Sequence, residues 1–412
     1  MSARAGQANP RPALSADLRR RRGAIFVFML TVGVGLSSFI VRTPAVRDLV
    51  HASTAEMGLI LFGISVGSMT GILSSAALVR RFGARRPIVI GGASFVVGLA
   101  LLALLAGAGQ GVGVFVGLIG IGLGFGLAEI AINIEGATIE QLSGRSVLPV
   151  LHGCYSLGSV VGSVAGIALT AIAFPVWIHL LVVAALAFGA LLWAVPKIPA
   201  ETGRQADTGV SSPGIRAQLA VWTQQRVIFL GLIVLALALA EGAAGDWLPL
   251  IMVDGHGTSA AVGSIVFAGF ALAMTIGRFS GEPLIARFGK ANVLRVSAIV
   301  SAVGIALVVF SDNVLVAGLA VLLWGLGAAL GFPVTLSAAG ESDDPTTTVG
   351  AVASAGYVAF LVGPPLLGFL GEHFGLRGAM IVVLAVVVLA SFLTSAARPP
   401  KTVAPVPEHP GP

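Results

Sequence analysis

Arg81-Phe82-Gly83 and Arg287-Phe288-Gly289 are the same tripeptide, and their glycines stand 206 positions apart (289 − 83) in a chain of 412 residues. Half the chain separates the copies. Each closes an apolar run of about twenty residues, enough to cross a bilayer core, and opens a basic turn before the next such run. Sequence and hydropathy repeated together at half-length point to a membrane protein built from two related halves, an organisation met in transporters.

Composition agrees. With 56% hydrophobic and 10% charged residues and a mean hydropathy of +0.99, the chain has more apolar surface than one water-soluble core could hide. Its 55 glycines against two tyrosines fit helices that must approach closely without a hydrophobic drive between them. The net charge of +6 tracks loops and forms no stripe, so nucleic acid is not an expected partner. Charge-poor windows place spans near 24–41, 57–77, 87–108, 111–134, 147–174 and 175–195, then near 227–253, 260–279, 291–310, 314–338, 349–370 and 379–396. Only Arg42, Arg47 and Arg377 fall in loops on the odd-numbered side, leaving 21 basic residues (24 − 3) on the other. The positive-inside rule then puts both termini in the cytoplasm of a multi-pass plasma-membrane (inner-membrane) protein. The basic run before Ala24 resembles the start of a secretory signal, but the apolar stretch is too long and no tidy cleavage site follows. The lone Cys154 allows no internal disulfide and reads as a small buried residue.

Between Pro196 and Gln225 hydrophobicity collapses, which marks a cytoplasmic linker (196–225) between six-helix bundles at 23–195 and 226–397. Ile215, Leu219 and Trp222 share a helical face there beside Arg216 and Arg226, as in a segment lying flat at headgroups. Residues 1–22, basic at their end, and 398–412, rich in Pro, are expected to be disordered. Small residues recur every four positions at Gly63, Gly67 and Gly71, at Gly158, Gly162 and Gly166, and at Gly269, Ala273 and Gly277. Such stripes make close helix contacts. Three in one duplicated chain predict small faces meeting across the boundary between halves, static packing being the alternative.

The twelve-helix 6+6 plan, with Ala76 to Arg86 after the second span and Glu282 to Arg295 after the eighth, resembles the major facilitator superfamily. The loop pattern of that family is Gly-x-x-x-Asp-Arg-x-Gly-Arg-Arg. Arg81, Gly83, Arg85 and Arg86 match it, with Ala76 and Arg80 replacing the first Gly and the Asp; the second copy keeps Arg287 and Gly289. The resemblance implies an all-α membrane fold of two pseudo-symmetric six-helix bundles, gating loops at these residues, and alternating access. Glu129-Ile-Ala-Ile-Asn133 resembles the Glu-x-Ala-x-Asn of the fucose permease group, where the Glu is implicated in proton coupling. Arg42-Thr-Pro-Ala-Val-Arg-Asp48, Asp246-Trp-Leu-Pro-Leu250, Asp254-Gly-His-Gly257 and Phe360-Leu-Val-Gly-Pro-Pro-Leu-Leu-Gly368 resemble one bacterial inner-membrane branch of the superfamily and leave the solute open.

An ionisable group at membrane depth costs about 2.5 kcal/mol or more, so it marks a site unless it serves packing. Glu129 and Asn133, four apart, share a helix face. Burial and a nearby cation act on a carboxyl in opposite senses, so alternating exposure can load and release a proton. Glu241 lies mid-way along the seventh span and Asp246 near its outer end, about 140° apart around an ideal helix, so both face one cavity only if the segment between them unwinds. Asp246 and Trp247 read equally well as an interfacial cap and anchor. His152 and Tyr155 share a face of the fifth span, and Tyr357 follows Tyr155 by 202 residues (357 − 155) on the eleventh. Trp324 could stack on a sugar or simply pack; Arg42 could pair with an acid or bind headgroups.

No nucleotide-binding Gly-x-x-x-x-Gly-Lys-Ser/Thr, zinc motif or nucleophile-base spacing occurs, so neither enzyme chemistry nor a cofactor is expected, and the proton motive force is the expected energy source. Glu129, Glu241 and His152 are the candidates for proton coupling. Asn133, Tyr155, Tyr357, Trp324, Asp246 and Arg42 are those for solute contact. Drug antiporters of the superfamily carry a Pro within the fifth-helix glycine pattern, and Gly158 to Gly166 has none. The expected function is proton-coupled uptake of a small polar solute, possible sugars included, by a monomer in the lipid bilayer. Proton-coupled efflux of amphipathic compounds and a non-transporting sensor or scaffold are the alternatives.

Overall fold

The structure, a computed structural model, describes residues 15–143, 147–204 and 220–399. The expected tails before residue 15 and after residue 399, and most of the linker (205–219), lie outside them. The described residues are helical and contain no strand. The first half is built from α1 (Ala16–Ile40), the short α2 (Thr43–Val50), α3 (Thr54–Phe82), α4 (Arg85–Gly107), α5 (Gly111–Ser143), α6 (Leu148–Ala171) and α7 (Val176–Ala194). The second half has α8 (Gln225–Leu250), α9 (Ala260–Phe279), the short α10 (Gly281–Phe288), α11 (Lys290–Phe310), α12 (Val314–Ala328), α13 (Gly331–Ala339) and α14 (Pro345–Leu393). α12 and α13 together make one crossing, and α14 folds back on itself at Gly375 (φ 74°), making two. Twelve crossings result, and both ends of the described chain lie at one end of the molecule, called the terminal end below; the other is the far end. α1 begins at Ala16, so residues 16–22 of the basic segment expected to be disordered are helical.

The decisive tripeptide is a helix stop. Gly83 (φ 77°) and Gly289 (φ 74°) sit at positive φ just past α3 and α10, each donating its N–H back to a carbonyl four residues earlier, Val79 at 2.7 Å and Ile285 at 2.9 Å. A side chain is strained in that conformation, so glycine is what lets the helix end there. Phe374-Gly375 repeats the device at the far end. The far-end start of α3 carries a capping box: Ser53 Oγ accepts from Glu56 N–H at 3.2 Å and Glu56 Oε2 from Ser53 N–H at 2.8 Å.

The glycine stripes pack inside the halves and not between them, contrary to the expectation from their recurrence. A methyl group at Gly63 would stand 2.6 Å from the Phe115 carbonyl oxygen, and methyls at Gly67 and Gly71 would run into Ile119 and Leu123, all on α5. Gly158 and Gly162 lie against Leu30 and Val34 of α1, Gly269 and Gly277 against Leu322 and Ala329 of the second half. The close approach between halves is made elsewhere, where Gly58 of α3 faces Gly368 of α14: a methyl at Gly58 would stand 2.7 Å from the Pro364 carbonyl and 2.9 Å from Gly368 Cα.

Hydrogen bonds between the halves follow the same asymmetry. Among the described residues they are Ser65 Oγ to the Phe360 carbonyl (2.8 Å) at mid-depth, and Ser264 Oγ to the Val41 carbonyl (2.8 Å), Ala55 N–H to Glu372 Oε2 (3.1 Å) and the Arg47–Asp254 ion pair at the far end. Among these hydrogen bonds of the described residues, none joins helices of the two halves at the terminal end. The molecule is closed at the far end.

Two kinds of glycine therefore predict two outcomes. Gly67→Ala drives a methyl into backbone within one half and should lower the melting temperature in detergent, as overpacking by about 1–3 kcal/mol does. Gly58→Ala disturbs only the closed far end. With Cys154→Ser as background, it should raise thiol labelling at Thr54→Cys with a smaller change in melting temperature.

Candidate functional site

Of the 17 residues of the seventh crossing from Ala236 to Met252, only Glu241, Gly242, Gly245 and Asp246 are not fully buried. On a helix these four lie at i, i+1, i+4 and i+5, one continuous stripe. A stripe of accessibility along an otherwise enclosed helix reports an opening inside the molecule. α8 is continuously helical through it, so the two acids reach one opening without the unwinding expected from their 140° separation. The glycines between them leave the surface low: a methyl at Gly245 would meet nothing within 4 Å.

The opposite wall comes from the first half. Along α5, Phe125, Glu129, Asn133 and Ala137 are partly accessible at four-residue spacing while Ala128, Ala131, Ile132 and Glu135 are buried. Arg278, near the terminal end of α9, belongs with α8 to the second-half wall. Its Nη2 donates to Glu241 Oε1 at 2.8 Å, with side-chain exposures of 47% and 19%. The Arg278 charge also acts on Glu129, His152 and Tyr155, and that of Glu129 acts on both Tyr155 and Tyr357. Glu129 has no hydrogen bond or ion pair among the described residues, and Asn133 Oδ1 is buried without a partner. His152 stands exposed near the start of α6, and Asp246 sits deepest toward the far end with no ion-pair partner among the described residues. The structure thus brings Glu129, His152, Tyr155, Glu241 and Tyr357 into one electrostatic neighbourhood around Arg278, with Asn133 one turn from Glu129 on α5 and Asp246 beyond Glu241 on α8.

The two tyrosines have matching neighbours. Tyr155 lies 6.1 Å from Phe125, ring centroid to centroid, and Tyr357 lies 6.1 Å from Phe332. Phe125 and Phe332 are 207 positions apart (332 − 125), one more than the 206 between the repeated glycines. An aromatic pair from the fourth and fifth crossings therefore has its counterpart in the tenth and eleventh.

Two expected solute contacts fall elsewhere. Trp324 is fully buried, donates Nε1–H to the Ala240 carbonyl at 3.1 Å, and meets Phe270 edge to face at 5.8 Å, so it packs α12 against α8 and α9. Arg42 is buried at the far end, where Nη2 donates to the Phe174 carbonyl at the turn after α6. It reaches neither an acid nor the central opening. Trp247 is no interfacial anchor: it is buried, with its ring against the Gly58 contact. The basic turns stand apart as well. Arg81 and Arg86 lie over the Phe82 ring at 5.1 and 5.0 Å, Arg287 over Phe288 at 5.3 Å, and none of these nor Arg85 has a carboxylate partner among the described residues. The start of the linker packs on the first turn, Ala84 N–H donating to the Thr202 carbonyl at 2.8 Å.

Arg278 is the site residue that the sequence hid, because a lone arginine one position from the end of an apolar run looks like a loop charge. Phe125 and Phe332 were findable through their repeat spacing. Also unforeseen is the buried pair Arg21–Glu135 (2.8 Å) tying α1 to α5 at the terminal end, with Arg21 counted among the tail charges.

The Major Facilitator Superfamily profile matches residues 2–136, 147–346 and 248–412. The chain belongs to that superfamily of membrane transporters. It is 27% identical over 395 residues to an uncharacterised MFS-type transporter of Yersinia pestis, covering 95% of this chain and 98% of that one. Among solved structures it resembles the nucleoside transporter NupG (TM-score 0.78, 12% identity, 92% of this chain and 99% of that one). It also resembles the Escherichia coli fucose:proton symporter FucP (TM-score 0.61, 18% identity, 92% and 98%).

If Arg278 and Glu241 answer one another inside the protein, their removal is not additive. Glu241→Gln and Arg278→Gln should each destabilise more than the double variant implies, with a coupling of about 0.5–3 kcal/mol in a double-mutant cycle read by thermal unfolding.

Proposed function

We propose that this chain is a proton-coupled carrier that takes up a small polar solute by alternating access. The observation that carries the reading is the unpaired carboxyl of Glu129 facing the Arg278–Glu241 pair across an opening between the halves. With Glu129 ionised, these three groups sum to −1; with it protonated they sum to zero. Carrying net charge through hydrocarbon is costly, so the halves exchange faces more readily when Glu129 holds a proton. Glu241 and His152, within the same field, are secondary proton acceptors. A proton crossing 100 mV contributes about 2.3 kcal/mol before any pH gradient is counted.

Solute contact falls to Asn133, Tyr155 and Tyr357, with Asp246 at the closed end of the opening. The Tyr155–Phe125 and Tyr357–Phe332 pairs offer two aromatic edges and two hydroxyls, which suits a ring bearing several hydroxyl or amide groups. Two structural neighbours are named for such compounds, a nucleoside and fucose. The stretches from Arg42 to Asp48 and from Phe360 to Gly368 resemble the bacterial inner-membrane protein YbjJ, a resemblance that leaves the solute open.

By the positive-inside rule the terminal end faces the cytoplasm of the plasma (inner) membrane, so the closed far end faces outward and the opening inward. The basic turns at Arg81 to Arg86 and Arg287 to Gly289 lie at that cytoplasmic end and are candidates for gating it. We read the chain as a monomer that needs no cofactor beyond the proton gradient.

Proteoliposome flux tests this. Solute entry should carry protons into the lumen, whereas extrusion of amphipathic compounds from inverted vesicles would favour export, and no flux with any solute library would favour a sensor. Glu129→Gln should abolish proton-coupled accumulation yet keep solute exchange; unchanged coupling would remove Glu129 from the mechanism. Tyr155→Phe and Tyr357→Phe should each weaken binding several-fold, the worth of one hydrogen bond.

A further inference from the structure

Far from the central opening, a cleft of about 370 Å³ opens at the terminal end between the first turns of α1 and the end of α7. Ala16, Arg19, Arg20, Gly23, Trp193 and Lys197 line it, three cations and no carboxylate. The Trp193 ring forms its floor: Lys197 Nζ stands 3.6 Å from the ring centroid, and a methyl at Gly23 would lie 4.0 Å from Trp193 Cη2. Glycine at position 23 keeps that side of the indole uncovered. Lys197 also donates to the Trp193 carbonyl, which fixes its head over the ring while leaving other donors free. Toward the middle of the same span, Leu192, Phe188 and Leu186 are exposed.

A basic cleft at the mouth of two spanning helices, with an indole at headgroup level and an apolar helix face below it, matches both parts of one molecule. We infer that this cleft binds an anionic phospholipid, its phosphate on Arg20 and Lys197 and an acyl chain along α7. A free phosphate would answer those two cations and leave the adjoining apolar face uncovered; a lipid answers both. The leaflet depends on the orientation proposed above, but the site does not.

The test uses the full chain, purified in neutral detergent and stripped of lipid, then titrated with phosphatidylglycerol or phosphatidylcholine and read by native mass spectrometry and thermal unfolding. Phosphatidylglycerol should bind more tightly. At about 1 kcal/mol for each basic residue near a membrane surface, Arg20→Ala/Lys197→Ala should weaken it about thirtyfold. Phosphatidylcholine binding should not change. Should the double variant fail to fold, Arg20→Gln alone is expected to weaken binding about fivefold. A control at the same end, Arg80→Ala/Arg204→Ala, should keep the preference. Equal binding of both lipids, phosphatidylglycerol binding that ignores Arg20 and Lys197, or the same stabilisation from inorganic phosphate alone would each overturn the inference. None of these readouts depends on flux.

Discussion

A guanidinium placed between apolar helices has to be answered by another charge or by water, and Arg278 is answered by a carboxylate. Glu241 takes one of its nitrogens at 2.8 Å, and nearly half of its side chain remains accessible. The other polar features of the interior are arranged around that centre. Glu129 acts with it from the opposite half without a hydrogen bond or ion pair of its own among the described residues, and the two tyrosines, on matching helices, lie within the field of these charges. Counted over Glu129, Glu241 and Arg278 alone, the charges sum to −1 with both carboxyls ionised. In the proposed cycle a proton on Glu129 removes one of those charges and eases the movement of the surrounding bundles through a medium that penalises net charge.

Mobility of this kind requires rigid bodies with a weak joint between them. The rigidity comes from glycine: Gly63, Gly67 and Gly71 on one helix and Gly158 and Gly162 on another bring backbones into direct contact within a half, where no hydrophobic drive would do so. The joint is of another kind. Gly58 against Gly368, the Ser264-to-Val41 bond, one helix N-terminus receiving Glu372 and one partly exposed ion pair hold the halves at the far end, with the Ser65-to-Phe360 bond at mid-depth. Exposed ion pairs of that type are worth about 1 kcal/mol or less. Within each half backbones meet along whole glycine stripes, whereas between the halves they meet closely at Gly58 and Gly368, beside a few side-chain bonds.

Much of this architecture could be read from residues alone. The repeated Arg-Phe-Gly, the span lengths and the charge-poor windows define the two halves because the bilayer fixes helix length and glycine fixes the turn. Glu129 and Asn133 on one face follow from four-residue spacing. What spacing leaves open is the partner. A stripe of small residues fits any backbone, so the sequence of α3 does not say whether it meets α5 or α14. Trp324 was conspicuous by chemistry and turned out to pack, since an indole in a membrane core needs only one carbonyl for its N–H. Arg278 was inconspicuous because its place near a helix end concealed that α9 delivers it to α8.

The central claim is that the Glu129 carboxyl exchanges protons with one side of the membrane at a time. Infrared difference spectroscopy of proteoliposomes, with pH and deuterium changed on one side only, measures it directly, using Glu129→Gln to assign the carboxyl band. The band should titrate and exchange from the cytoplasmic side in the state described here, and from the opposite side once the far end opens on solute binding. A Glu129 band that exchanges from neither side, or from both at once, would contradict it.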